Sequence, residues 1–184
     1  MIRTLAALLT VVASVSVASA ESFTVTSTDF KDGGTWPAKL VYKGMGCTGE
    51  NQSPQLSWKG APVGTKSFAV VIHDADAPTG GAGWTHWVVY NIPSTTMSLP
   101  SGAGDAGKKL LPGGASMAKT DFGTAAYGGA CPPPGDKPHT YTVSVYALKV
   151  PKIDVPADAT AAYVGFNLNA NKLATAKITG KYGR

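Results

Sequence analysis

Residues 68–92 read FAVVIHDADAPTGGAGWTHWVVYNI, and the patterning of this stretch decides the fold. Two apolar runs, 67–74 and 84–92, flank a nine-residue connection, 75–83, made of Gly, Pro, Ala, Asp, and Thr. Val, Ile and aromatic side chains suit a pleated surface buried on at least one face, so both runs are expected to be strands of one hairpin. Side chains alternate along a strand. Alternation places Phe68, Val70, Ile72 and Asp74 on one face of the first strand, and Trp84, His86, Val88 and Tyr90 on one face of the second. A carboxylate therefore ends one apolar stripe, and an imidazole stands near the start of the other. His73, on the opposite face from Asp74, reads as a packed or surface histidine.

The rest of the chain carries the same signature. Gly and Pro supply 35 of 184 residues, well above the roughly 12% of average usage. They cluster between short β-type runs, the punctuation of a sandwich or barrel. Further strands are expected at 23–25, 39–42 (after a Trp36-Pro37 turn), 55–58, 139–148 and 175–182. One helix is expected from Asp158, as N-cap, to about Lys172. In the run 139–148, His139, Tyr141, Val143, Val145 and Ala147 share a face, so a second imidazole joins an apolar stripe. Ahead of it lies DFGTAAYGGACPPPGDKP, residues 121–138, too rich in Gly and Pro for helix or central strand. A loop of this length inside a compact domain is usually functional.

The first twenty residues read as a secretory signal peptide: Arg3, an apolar run over 5–17, and the small-residue site Ala18-Ser19-Ala20. The apolar run is short for a membrane span of about 20 residues. Residues 21–184 are then one exported domain, periplasmic or extracellular, with no transmembrane segment. Removing Arg3 leaves this domain a net charge of +4. Its charges are dispersed, without the basic stripe interleaved with aromatics that a nucleic-acid groove wants. Two cysteines, Cys47 and Cys131, are expected to pair in an oxidising compartment.

Three polar groups thus sit at strand ends: Asp74, His86 and His139. Gly128 and Gly129 can let a loop backbone approach a ligand and turn its N–H groups inward. Imidazole and backbone N–H groups together suit an oxyanion such as phosphate, and a carboxylate beside one imidazole would fix its tautomer. Asp76 could do the same, or cap the turn at Pro78-Thr79-Gly80. Other chemistries fit less well. Two His and two Asp could ligate zinc, but there is no HExxH and no Cys pair clustered in the sequence. Ser53 lacks the G-x-S-x-G setting of a hydrolase, and no Walker-type phosphate loop is present. General acid/base chemistry by Asp74 with His86 stays open.

Several motifs together resemble the phosphatidylethanolamine-binding proteins, and among them the bacterial Raf-kinase-inhibitor-like branch. They are Asp74-Ala75-Asp76-Ala77-Pro78, Gly83-Trp84-Thr85-His86-Trp87, and Tyr127-Gly128-Gly129-Ala130-Cys131-Pro132-Pro133 leading to His139. The loop 46–54 with Leu56 and Trp58, and Asp121-Phe122-Gly123, fit the same branch. The likeness spans residues 22–182. It implies a mainly β sandwich of two antiparallel sheets, with one or two short helices near the C-terminus and an anion pocket at one end. Asp74, His86, His139, Pro132, Pro133 and the Gly128-Gly129 backbone would form that pocket, and Tyr141 would line it. The family commonly has Pro between the two acids and Arg after the second His; Ala75 and Thr140 stand there. The missing Arg bears on the pocket's charge and selectivity.

The function expected is non-catalytic binding of a phosphorylated or other anionic small molecule, a phospholipid head group included, without cofactor or metal. His86 and His139 would donate to the ligand, and affinity would fall as pH rises through about 6.5. Two alternatives remain: an inhibitor or interaction module acting on a protease, lysozyme or signalling protein, and a hydrolase using Asp74 and His86.

Overall fold

The computed structural model describes residues 21–184, so the expected signal peptide at 1–20 lies outside the described residues. In chain order the strands are β1 (Thr24–Thr26), β2 (Gly34–Thr35), β3 (Lys43–Gly44), β4 (Cys47–Thr48), β5 (Leu56–Lys59) and β6 (Ser67–Asp74). They continue with β7 (Trp84–Pro93), β8 (Ser98–Leu99), β9 (Ser116–Met117), β10 (His139–Leu148) and β11 (Lys172–Tyr182), with helix α1 (Ala161–Asn171) before the last. Six strands in the order β2-β11-β10-β6-β7-β9 form the large sheet, β1-β5-β8 a smaller one, and β3-β4 a short ribbon. The pairings are antiparallel except at one edge, where β2 runs parallel to β11.

The main core lies between the two larger sheets. Phe68, Val70 and Ile72 of β6 and Val143, Val145 and Ala147 of β10 meet Val25, Leu56, Trp58 and Leu99 of the small sheet. Each fully buried aliphatic or aromatic side chain of this kind contributes about 1.5–3 kcal/mol relative to exposure. A second cluster covers the other face of the large sheet, where Val164 and Leu168 of α1 pack with Ala69, Val88, Tyr90 and Leu148. Spaced four apart, those two residues form one helical stripe.

Alternation along β7 departs from the simple pattern. Ile72 pairs with Trp87 but His73 pairs with Thr85, which leaves His86 as an extra residue in a β-bulge. The bulge resets the phase. Val88 and Tyr90 face the helix side, while Trp87 and Val89 face the main core. A second bulge, at Asn91 with φ 58°, returns Ile92 to the core side. Its amide is tied to the backbone of Ile153, donating through Nδ2 at 3.2 Å and accepting at Oδ1 at 2.7 Å.

Two other expectations are corrected. Residues 39–42 are not a strand: Ala38–Leu40 is a 3-10 turn. Pro37 enters it with φ −72°, Leu40 N donates to Pro37 O at 2.9 Å, and the Trp36 indole donates to Leu40 O at 3.2 Å. The cap of α1 is Thr160, not Asp158, with Thr160 Oγ1 accepting from Tyr163 N at 3.3 Å. Asp158 lies instead in a turn, where Ala159 N donates to Pro156 O at 3.0 Å, and Thr160 is held extended (φ −75°, ψ 159°) between the bonds Lys119 N to Ala159 O at 2.9 Å and Ala161 N to Lys119 O at 2.8 Å. Among the described residues, no helix is long and apolar enough to cross a membrane.

Candidate functional site

Three strand ends converge at one rim of the large sheet. Asp74, last in β6, stands opposite Trp84 of β7 and Tyr141 of β10. His139 enters two residues before Tyr141, on the same face. The β7 bulge turns His86 toward them rather than into the sheet. Together they floor a cavity of about 190 Å³. Ala77, Pro78 and Thr79 of the hairpin loop, Phe122, the segment 131–133 and Met45 complete its walls. Asp74, His86, His139 and Tyr141 are at most 4% exposed, so their polar atoms must be paired or held for a ligand.

The two histidines are wired differently. His86 Nδ1 donates to Gly128 O at 2.7 Å. Its Nε2 is buried and makes no hydrogen bond. Burial pushes this imidazole's pKa below the ordinary histidine value, against the upward pulls of the Gly128 carbonyl and the Asp74 charge. His139 Nδ1 donates to Asp74 Oδ2 at 2.7 Å, and its Nε2 donates to Asp136 Oδ2 at 3.3 Å. Carboxylates only accept, so below its raised pKa both nitrogens carry hydrogen and the ring is an imidazolium. Burial opposes that charge, but the bond to Asp74 and the surrounding carboxylates outweigh it and raise the pKa. The Tyr141 hydroxyl is buried and makes no hydrogen bond of good geometry, although the Asp74 carboxylate is close to it. Burial first, and the nearby Asp74 charge second, hold its pKa far above the usual phenol range.

Of the residues expected at the site, Asp74, His86, Pro132, Pro133, His139 and Tyr141 line the cavity. Asp76 does not. Its Oδ2 accepts from Thr140 N at 2.7 Å, bracing the start of β10. Gly128 and Gly129 are not among the lining residues, and their N–H groups are already taken: Gly128 N donates to His86 O at 2.9 Å and Gly129 N to Asn51 Oδ1 at 2.7 Å. They are glycines for packing. A Cβ on Gly128 would run into the Phe122 ring, and one on Gly129 into the backbone at Leu40, Val41 and Tyr42. His139, with both nitrogens on carboxylates, does not offer the free donor expected of it.

The sequence reading passed over Asp136, three residues before His139, and the aromatic wall of Trp84 and Phe122, whose rings meet edge-on at 5.5 Å. Phe122 also stands edge-on to His86 at 5.4 Å. Cys47 and Cys131 form a disulfide, which joins the β3-β4 ribbon to the wall at 131–133. Arg184 reinforces that join, donating to Pro132 O at 2.7 Å and Gly46 O at 2.9 Å. Ser53 is buried, with Oγ accepting from Gly104 N at 2.8 Å. Among the described residues, no group of three or more His, Cys, Asp or Glu is set to hold a metal ion.

Comparison with known proteins gives a consistent picture. The family model described as phosphatidylethanolamine-binding protein matches residues 26–183. UPF0098 protein YbcL of Escherichia coli is 53% identical over 165 residues, covering 90% of each chain. UPF0098 protein YbhB of the same organism is 47% identical over 156 residues, 85% of this chain and 97% of that one. The crystal structure of E. coli YbcL superposes with a TM-score of 0.85 at 52% identity, covering 88% of this chain and 98% of that one. A homologue from Chlamydia trachomatis, CT736, gives a TM-score of 0.74 at 28% identity, over 89% and 98% of the two chains. The chain belongs to the phosphatidylethanolamine-binding protein family, on its bacterial Raf-kinase-inhibitor-like branch with YbcL and YbhB.

Proposed function

We propose that this protein is an exported binding protein that holds a small phosphate-type oxyacid in the cavity floored by Asp74, His86, His139 and Tyr141, without a catalytic step of its own. One observation carries the reading. Two polar atoms on residues lining that cavity, His86 Nε2 and Tyr141 Oη, are buried and lack partners. A buried polar group left unpaired costs about 1–3 kcal/mol, and a ligand that bonds to it recovers this. Beside them the His139 imidazolium offsets part of the charge of Asp74 and Asp136, while Trp84, Phe122, Pro132 and Pro133 give an apolar collar.

The wiring favours holding over turnover. Asp74 is committed to His139, whose other nitrogen is taken by Asp136, and His86 is oriented by a backbone carbonyl rather than a carboxylate, so neither imidazole presents a free, carboxylate-backed nitrogen to the cavity. Ser53 hydrogen-bonds to Gly104 and is not part of the lining. Export is supported by the leader-type composition of residues 1–20 together with the Cys47–Cys131 disulfide.

Calorimetric titration with inorganic phosphate and phenyl phosphate tests the binding. One-to-one binding is expected, weakened about five- to tenfold by Tyr141→Phe, which removes only the hydroxyl. Absence of binding by the intact chain between pH 5.5 and 8 would refute the reading. Intact mass of the protein recovered from the periplasm tests export; a chain beginning at Glu21 is expected.

A further inference from the structure

The geometry points to a ligand that brings its own hydrogen to His86: a phosphomonoester or phosphonate bound as its protonated monoanion, in preference to a phosphodiester. This rests on the reading above and narrows it, because a phospholipid head group is a diester while phosphorylated metabolites of the monoester class are not.

The Gly128 carbonyl can only accept, so the His86 proton resides on Nδ1. In the neutral ring Nε2 then presents a lone pair. The groups around it do not meet that lone pair. From β6 come Asp74 on the cavity side and His73 behind the strand, whose Nδ1 lies 3.3 Å from Thr85 Oγ1. From β10 come His139, committed to Asp74 and Asp136, and Tyr141, whose ring stands edge-on to His86 at 5.1 Å. From the loop come the Phe122 ring and Asp121, whose Oδ2 accepts from Thr85 N at 2.6 Å. None hydrogen-bonds to Nε2.

Charge points the same way. Among the described residues no Lys or Arg lines the cavity, and the His139 imidazolium already faces two carboxylates. A dianion would find no free counter-charge. A diester, with no hydrogen to give, would set an oxygen lone pair against the Nε2 lone pair or force a proton onto a buried ring. A protonated monoester avoids both: its P–OH donates to Nε2, and the Tyr141 hydroxyl donates to a second oxygen.

The test is calorimetry on the intact protein with methyl phosphate, dimethyl phosphate and methylphosphonate at a series of pH values from 6 to 8. At pH 6 methyl phosphate is expected to bind at least about tenfold tighter than dimethyl phosphate, the loss that follows from one unpaired buried acceptor. Its affinity should fall about tenfold per unit above the phosphate pKa of about 6. Methylphosphonate keeps its second proton to higher pH, so its decline should move up by the same interval. A common midpoint for both would assign the decline to a histidine and overturn the inference. In His86→Gln, whose amide can donate as well as accept, dimethyl phosphate should come within about threefold of methyl phosphate. Equal binding of the two esters by the unmutated protein overturns this inference and leaves the oxyacid site standing. No binding of any of the three defeats both.

Discussion

His139 Nδ1 donates to Asp74 Oδ2 across 2.7 Å, tying the start of β10 to the end of β6 beneath the cavity. Both side chains are buried, and burial works against the charge that the carboxylates stabilise. The net effect raises the His139 pKa. A folded-state pKa above the unfolded value means the pair's stability is fully present below about pH 6.5 and lost as pH rises through the folded pKa. Asp74→Asn should therefore cost about 3–5 kcal/mol at pH 6, since it strands a buried charge, and less at pH 9. Urea unfolding at the two pH values checks the difference, and an imidazole of His139 titrating at or below 6.5 would contradict it.

His86 should behave in the opposite sense. Burial depresses its pKa, so its contribution is complete above about pH 6.5 and lost as pH falls toward the lowered folded value. Proton NMR of the imidazole C2–H signals should show His86 titrating below His139. Replacing His86 with Phe should remove this acid-side loss of stability.

Gly128→Ala should destabilise by about 1–3 kcal/mol, the usual cost of overpacking, and weaken ligand binding by shifting the carbonyl that holds His86. At Gly113 an added Cβ meets nothing within 4 Å. Gly113→Ala should stay within about 0.5 kcal/mol of the parent. Thermal or urea unfolding of the two variants, side by side, makes the comparison.

Reducing the Cys47–Cys131 bond, which spans 84 residues, should lower stability by about 4–5 kcal/mol at most, by release of unfolded-chain entropy. Because Cys131 adjoins the Pro132-Pro133 wall, affinity for phosphate should fall as well. Urea unfolding and calorimetry with and without a thiol reductant measure both effects.

The hairpin, the β-rich fold and the placing of Asp74, His86 and His139 at strand ends were readable from strand period and Gly/Pro punctuation, which are local signals, whereas the two-sheet architecture and the shared pocket with Tyr141 rested on the family resemblance. The bulge at His86 was not readable: WTHWVVYNI looks like uninterrupted alternation, and only pairing with Ile72 and His73 shows which residue is extra. Pairing partners also set the fate of Gly128 and Gly129, whose N–H groups are taken by His86 O and Asn51 Oδ1. Asn51 lies far back in the chain, and its place in the 46–54 loop does not tell which backbone its side chain will reach. The turn at Ala38–Leu40 was misread because the β-type composition of 39–42 concealed the reach of Pro37 O to Leu40 N. Asp136 lay in plain view beside His139, but its reach to Nε2 depends on how the 134–138 turn folds back.

Trp84 lines the cavity and is partly exposed, whereas Trp36, Trp58 and Trp87 are sealed in the core. Light emission from this protein therefore has one indole in contact with an arriving guest and three that are shielded from it. Occupancy can be followed optically without attaching a dye, and a Trp84→Phe variant serves as the blank.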